Sequence, residues 1–143
     1  MATVRTANTV WNGDLPAGNG VVSFVSSKRD DADVTWAARS QEANGKTSPE
    51  ELIAAAHATC FSMALSAGLS KAGNAPERIE TTADVTFDPS AGGITAIALT
   101  VRGTVPGISA EDFNEAAAEA KADCPVSKAL AGVDNISLDA SLA

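Results

Sequence analysis

Positive charge is scarce in this sequence: 10 Lys and Arg stand against 18 Asp and Glu, a formal charge of −8. Such a surface repels phosphate backbones and anionic lipid headgroups, so neither nucleic acid nor a membrane is an expected partner. Cysteine is rare as well, with Cys60 and Cys124 alone and no C-x-x-C pair. Together with the single histidine, His57, they offer one short-range pair and one remote ligand, which argues against zinc even though the ligand types suit it. The first twenty residues, MATVRTANTVWNGDLPAGNG, contain no apolar segment of signal-peptide length and reach a turn-like Asn12-Gly13-Asp14 within a dozen positions. Two cysteines without a signal read as reduced thiols in a cytoplasmic protein, not as a permanent staple. Long unbroken apolar runs are missing too. Leu52 to Leu69 is about membrane-spanning in length, but it is rich in Ala and interrupted by His57, Thr59, Ser62 and Ser66, so it reads as a core helix.

What is present suffices for one buried core: 143 residues, of which 45% are hydrophobic, suggest a single domain over 1–143. Val10-Trp11, the turn Asn12-Gly13-Asp14 and Gly20 to Val25 predict a first hairpin, with Val22 or Phe24 inward. Lys28 to Asp33 reads as a charged turn, and Val34 to Arg39 as a third strand that enters the polar loop Ser40 to Thr47. Ser48, Pro49 and Glu51 form a capping-box start for a helix that continues to Lys71, where Gly73 and Pro76 supply stop signals. This helix is apolar on most sides. One small sheet covers only one face of it, and a second copy of the chain is a natural cover for the other.

Beyond the helix, Ile79 to Asp88 and Ile94 to Val105 flank Pro89-Ser90-Ala91-Gly92-Gly93 and predict a second hairpin, with Ile97, Leu99 and Val101 on one face. Ser109 opens a helix over Ala110 to Ala122, Cys124-Pro125 begins a short helical turn, and Ile136, Leu138 and Ala140 alternate as a last strand. The element order gives an α+β fold without internal repeats.

The two cysteines lie in different local settings. A free thiol is only about 3% thiolate at neutral pH, and a helix N-terminus lowers its pKa whereas a helix interior does not. Local physics therefore activates Cys124. Cys60, mid-helix among Ala, Phe61 and Met63, is an inert buried thiol unless a cation reaches it from elsewhere.

The segment TSPEELIAAAHATCFSMALSAGLSKAG, with a second cysteine 64 positions after Cys60 in EAKADCPVSKAL, resembles the OsmC (osmotically inducible protein C) branch of the OsmC/Ohr family. VWNGDLPAGNG, TTADVTF and VPGISAEDF extend the resemblance over nearly the whole chain. It implies antiparallel sheets around a long buried central helix bearing the first cysteine, and an intertwined homodimer. It also implies a thiol-dependent reduction of organic hydroperoxides that takes its electrons from an external dithiol such as a lipoyl group and uses no bound cofactor. Carried over by residue, the resemblance makes Cys60 the peroxide-attacking thiol, Cys124 its resolving partner through a transient disulfide, and Arg39 and Glu50 the cation and carboxylate of the site. Ten residues of helix rise by roughly 15 Å, so Glu50 does not reach Cys60 of its own chain, and a site shared across a two-fold axis is expected.

The apolar residues Leu52, Phe61 and Met63 are candidate walls favouring alkyl over hydrogen peroxide. His57, one turn before Cys60, either tunes a thiol or is a satisfied core histidine, and Trp11 and Trp36 read as sheet or interface residues. Two other functional classes share these features. One is a metal-binding protein using His57 and the two cysteines; the other is a redox sensor or small-ligand binder with the same fold.

Overall fold

The computed structural model describes residues Met1–Ala143, in the order β1 (Asn8–Asn12), β2 (Asn19–Phe24), β3 (Arg29–Val34), α1 (Trp36–Ser40), α2 (Pro49–Lys71), β4 (Arg78–Asp88), β5 (Gly93–Thr104), α3 (Ala110–Asp123), α4 (Pro125–Ala129) and β6 (Asn135–Leu142). Packing divides the chain into two compact units, Met1–Leu52 and Ile53–Ala143.

In the first unit, β1, β2 and β3 form an antiparallel sheet with β2 central. Two expectations for this stretch are corrected. Arg29 to Asp33 is strand, not turn, because a charged sequence suits an edge strand whose outward face is solvated and whose free edge must not recruit another strand. The turn falls earlier and closes at Lys28, which adopts a positive φ of 55° and donates its N–H to Phe24 O at 2.8 Å. Val34 to Arg39 is not a strand beyond Val34. Thr35 Oγ1 accepts from Ala38 N at 3.1 Å, and this N-cap turns the β-prone Trp36 into the first residue of α1.

α2 begins as its sequence signals require, with Ser48 Oγ accepting from Glu51 N at 3.1 Å. The reciprocal half of a capping box is replaced: the Glu51 carboxylate accepts instead from Thr47 Oγ1 at 2.9 Å. The helix ends in a Schellman arrangement, with Asn74 N donating to Leu69 O at 2.8 Å and Gly73 N to Ser70 O at 3.1 Å. Gly73 takes the φ of +87° that this cap needs.

In the second unit β5 is the central strand, antiparallel to β4 and parallel to β6. The crossover through α3 and α4 permits this one parallel pairing in otherwise antiparallel sheets. Ile97, Leu99 and Val101 alternate inward as expected, and the last two pack with Phe61, Leu65 and Leu69 of α2 and with Phe113, Ala117 and Ala120 of α3. Ser109 caps α3 by accepting from Asp112 N at 3.1 Å. Polar side chains inside the apolar helix are satisfied by the helix itself: Thr59 Oγ1 donates to Ala55 O, and Ser62 Oγ lies within hydrogen-bond distance of both Ala58 O and Thr81 Oγ1 of β4.

As expected, the chain itself covers only one face of α2. Its buried stripe is His57, Phe61, Leu65 and Leu69, at intervals of four, while Ala55, Ala56, Met63 and Ala67 are exposed. α2 is long and apolar enough to cross a membrane by length and composition, yet its buried stripe is part of the core of the second unit.

Gly103 marks a close approach in that core. A Cβ there would lie 2.5 Å from Cε2 and 2.6 Å from Cζ of the fully buried Phe113 ring. Gly103→Ala is expected to lower the unfolding free energy by about 1–3 kcal/mol through overpacking, measured by urea denaturation. A midpoint equal to that of the parent protein would show that the ring has room to yield.

Candidate active site

Each unit assembles one pair of the residues singled out by sequence. In Met1–Leu52, α1 presents Arg39 and the first turn of α2 presents Glu50. Arg39 Nε donates to Oε1 and Oε2 of Glu50 at 3.0 and 3.1 Å, and Nη2 donates to Oε1 at 2.8 Å. This forked pairing uses the planar guanidinium as lysine could not. The Glu50 side chain is 8% exposed and that of Arg39 31%, so the carboxylate is sunk while the cation keeps an outer face. Glu51, its carboxylate occupied by Thr47, takes no part in this pair.

Beside this pair lies a cavity of about 560 Å³ with Arg39 in its wall. Trp11, Leu15, Val22, Trp36 and Leu52 supply most of its apolar surface. Trp11 does stand on a strand, with Nε1 donating to Gly13 O at 3.0 Å, but both tryptophans also face this cavity, a placement the sequence reading did not assign to them. Of the three proposed apolar walls, Leu52 lines the cavity. Met63 is exposed at 68%, and Phe61 is fully enclosed in the core of the second unit and is no wall of any open site.

In Ile53–Ala143, Cys60 lies mid-way along α2 and Cys124 caps α4, ahead of Pro125. Both are free thiols, and their side chains are close enough to shift each other's acidity. Cys60 is partly accessible and Cys124 fully buried. Their acidities move in opposite directions. Burial first, and then the Cys124 side chain, push the Cys60 thiol up, against the Val126 N–H, which stabilises its thiolate. At Cys124 burial also disfavours the anion, but the Ser127 N–H, the Cys60 thiol, the Ser127 hydroxyl and the Val126 N–H together outweigh it and hold the thiol below its usual value. Cys124 makes no formal side-chain capping bond, so this is the field of the N-terminal N–H groups at work. A thiol cannot supply a cation, so the positive charge that a Cys60 thiolate requires has to come from outside the thiol pair.

His57 lies behind these thiols, completely enclosed, with Nε2 2.7 Å from Ser127 Oγ and Nδ1 without a partner. Burial first and the charge of Lys121 second hold it below the ordinary histidine value of 6.5. Of the alternatives read from sequence, the satisfied core histidine is only half met, since one ring nitrogen is orphaned. Sequence reasoning missed Ser127; its one signal was a hydroxyl three residues after a candidate helix cap, on the same face as Cys124.

Comparison with known proteins follows the same lines. The sequence pattern of the family described as OsmC-like protein matches residues 42–139. Peroxiredoxin OsmC of Escherichia coli (strain K12) is 46% identical over 132 residues, covering 91% of this chain and 92% of that protein. Organic hydroperoxide resistance protein-like 2 of Staphylococcus epidermidis is 30% identical, covering 93% and 96%. The crystal structure of the organic hydroperoxide resistance protein OhrB of Bacillus subtilis superposes with a TM-score of 0.67 at 26% identity, over 96% of this chain and 98% of that one.

The buried carboxylate depends on its cation. Arg39→Ala strands Glu50 without a partner and is expected to cost about 1–3 kcal/mol of stability, of which the double variant with Glu50→Gln recovers a large part. Thermal or urea unfolding of the two variants measures this, and equal losses in both would show that the pair is not coupled.

Proposed function

The chain belongs to the OsmC-like family, and on that footing we propose that this peroxidase reduces organic hydroperoxides to alcohols with Cys60 as the attacking thiolate and Cys124 as the resolving thiol. The observation that carries the reading is the nearness of the two sulfurs: free cysteines 64 positions apart in sequence fold close enough to shift each other's acidity. The names of the relatives in Escherichia coli and Staphylococcus epidermidis, a peroxiredoxin and a hydroperoxide resistance protein, support the same chemistry.

The Cys60 thiolate attacks the outer peroxide oxygen, the O–O bond breaks, and the alkoxide leaves as alcohol after taking a proton. Cys60 is left as a sulfenic acid. Cys124 condenses with it to a disulfide and releases water, and an external dithiol such as a lipoyl group reduces the disulfide by exchange. The cation comes from a second copy of the chain. Glu50 precedes Cys60 by ten residues of one helix, roughly 15 Å of rise, and Arg39 is bound to Glu50, so the two travel together. In a homodimer with two α2 helices antiparallel, the exposed face around Met63 is covered and the Arg39–Glu50 pair of one copy serves the thiols of the other. The cavity beside Arg39 then receives the alkyl group, which favours organic over hydrogen peroxide. A single OsmC-like domain over 1–143, working in the cytoplasm, completes the reading.

Steady-state turnover of cumene or tert-butyl hydroperoxide with a dithiol donor tests it. Cys60→Ser is expected to lower the rate by at least about a thousandfold. Cys124→Ser is expected to retain sulfenic acid formation, trapped by dimedone, while losing the disulfide. Oxidation that stops after one equivalent in the parent protein would instead identify a sensor, and stoichiometric zinc in the purified protein would replace the mechanism with a metal site. Mixed dimers of Cys60→Ser and Glu50→Ala subunits are expected to recover one competent site; no recovery would count against sharing.

A further inference from the structure

Two ionisable side chains other than thiols are buried in this protein. Glu50 is paired with Arg39, whereas His57 has no part in the chemistry described so far. Its surroundings form a continuous line. His57 Nε2 stands 2.7 Å from Ser127 Oγ, and the Ser127 hydroxyl and the Cys60 thiol are both near enough to Cys124 to favour its anion. Three short-range features of the sequence produce it. His57 is one turn before Cys60 on α2, Ser127 is one turn after Cys124, and Pro125 starts α4 between them. A fully enclosed imidazole with one nitrogen unpartnered is a costly choice where an apolar side chain would pack, and such a group calls for a use.

We propose that Ser127 and His57 form the proton path of the disulfide-forming step, with Ser127 beside the attacking sulfur and His57 acting through it as a positioning residue that takes up the proton. The inference rests on the reading of Cys124 as the resolving thiol. As Cys124 Sγ attacks the sulfenic sulfur of Cys60, the S–S bond forms and the S–O bond breaks. The thiol proton passes to Ser127 Oγ, and the hydroxyl proton of Ser127 passes to His57 Nε2. The departing hydroxide recovers that proton and leaves as water. The Cys60 sulfur is reduced and the Cys124 sulfur oxidised, so no outside reagent enters. The path requires Nε2 free of hydrogen, which places the ring proton on Nδ1.

The groups facing the imidazole suit this role. Lys121 of α3 opposes a resting positive charge on the ring, Ser127 comes from α4 and Cys124 from its cap, and Cys60 lies on the same helix. Burial and Lys121 lower the His57 pKa, so the ring stays a neutral acceptor to pH values below 6.5.

The test separates the two half-reactions. Reduced protein is mixed with one equivalent of cumene hydroperoxide without a dithiol, and the sulfenic acid (as its dimedone adduct) and the disulfide are followed by mass spectrometry across a pH series. Parent protein is expected to show disulfide formation that declines only at pH below 6.5. Ser127→Ala and His57→Gln are expected to slow disulfide formation relative to sulfenic acid formation by about tenfold to a hundredfold and to remove that acid limb. Glutamine keeps a hydrogen-bonding atom near Nε2 but takes up no proton. A folded His57→Gln protein with the parent's ratio of rates and pH profile would overturn the proposal. If His57→Gln does not fold, Ser127→Ala decides by the same criterion. A parent protein that forms sulfenic acid but no disulfide refutes the resolving-cysteine reading itself, and one that forms neither refutes Cys60 as the attacking thiol; both are different results.

Discussion

A single long helix that is apolar around its whole circumference constrains everything else in this protein. A three-stranded sheet and one crossing helix cover a stripe of it, which contributes Phe61, Leu65 and Leu69 to the core of the second unit. The remaining faces carry Ala55, Ala56, Met63 and Ala67 into solvent in the isolated chain. The same helix carries Glu50 in its first turn and Cys60 mid-way, so its burial, its cap and its chemistry are bound together.

The chemistry is divided in the same manner. The first unit presents charge: a guanidinium forked onto a sunken carboxylate beside an apolar cavity. The second presents sulfur: two thiols close together, whose own environment favours the anion at Cys124 and disfavours it at Cys60. On the proposed mechanism, a thiol whose own surroundings disfavour the anion and a cation held in the first unit are complementary parts, which a two-fold pairing of α2 helices would join.

Much of the architecture is legible in the sequence because the signals are local. Ser48-Pro49 starts α2 and Gly73 ends it; Pro89 to Gly93 turns β4 into β5; Ser109 opens α3; and the alternation of Ile97, Leu99 and Val101 marks the inner face of the central strand. Each depends on a cap, a turn or a period spanning only a few residues. Where the reading erred, competing local signals were close in strength. Charge in Arg29 to Asp33 reads equally as a turn or a protected edge, and only the position at the sheet margin decides it. Thr35 and Trp36 are β-prone by type, and the Thr35 capping bond overrules that preference.

The sequence by itself determined the α+β order, the central helix and, through its likeness to a known family, the four residues Arg39, Glu50, Cys60 and Cys124. Tertiary structure alone decided which of them meet. Contacts between residues 11 and 64 positions apart leave no periodic trace in a single sequence, so the Arg39–Glu50 fork and the Cys60–Cys124 pair become visible only when the chain is folded. The same holds for Ser127 against His57, 70 positions apart. An imidazole and a hydroxyl are each ordinary in sequence, and it is their approach in a buried setting, where a hydrogen bond is strong and an unpaired atom costly, that gives them significance.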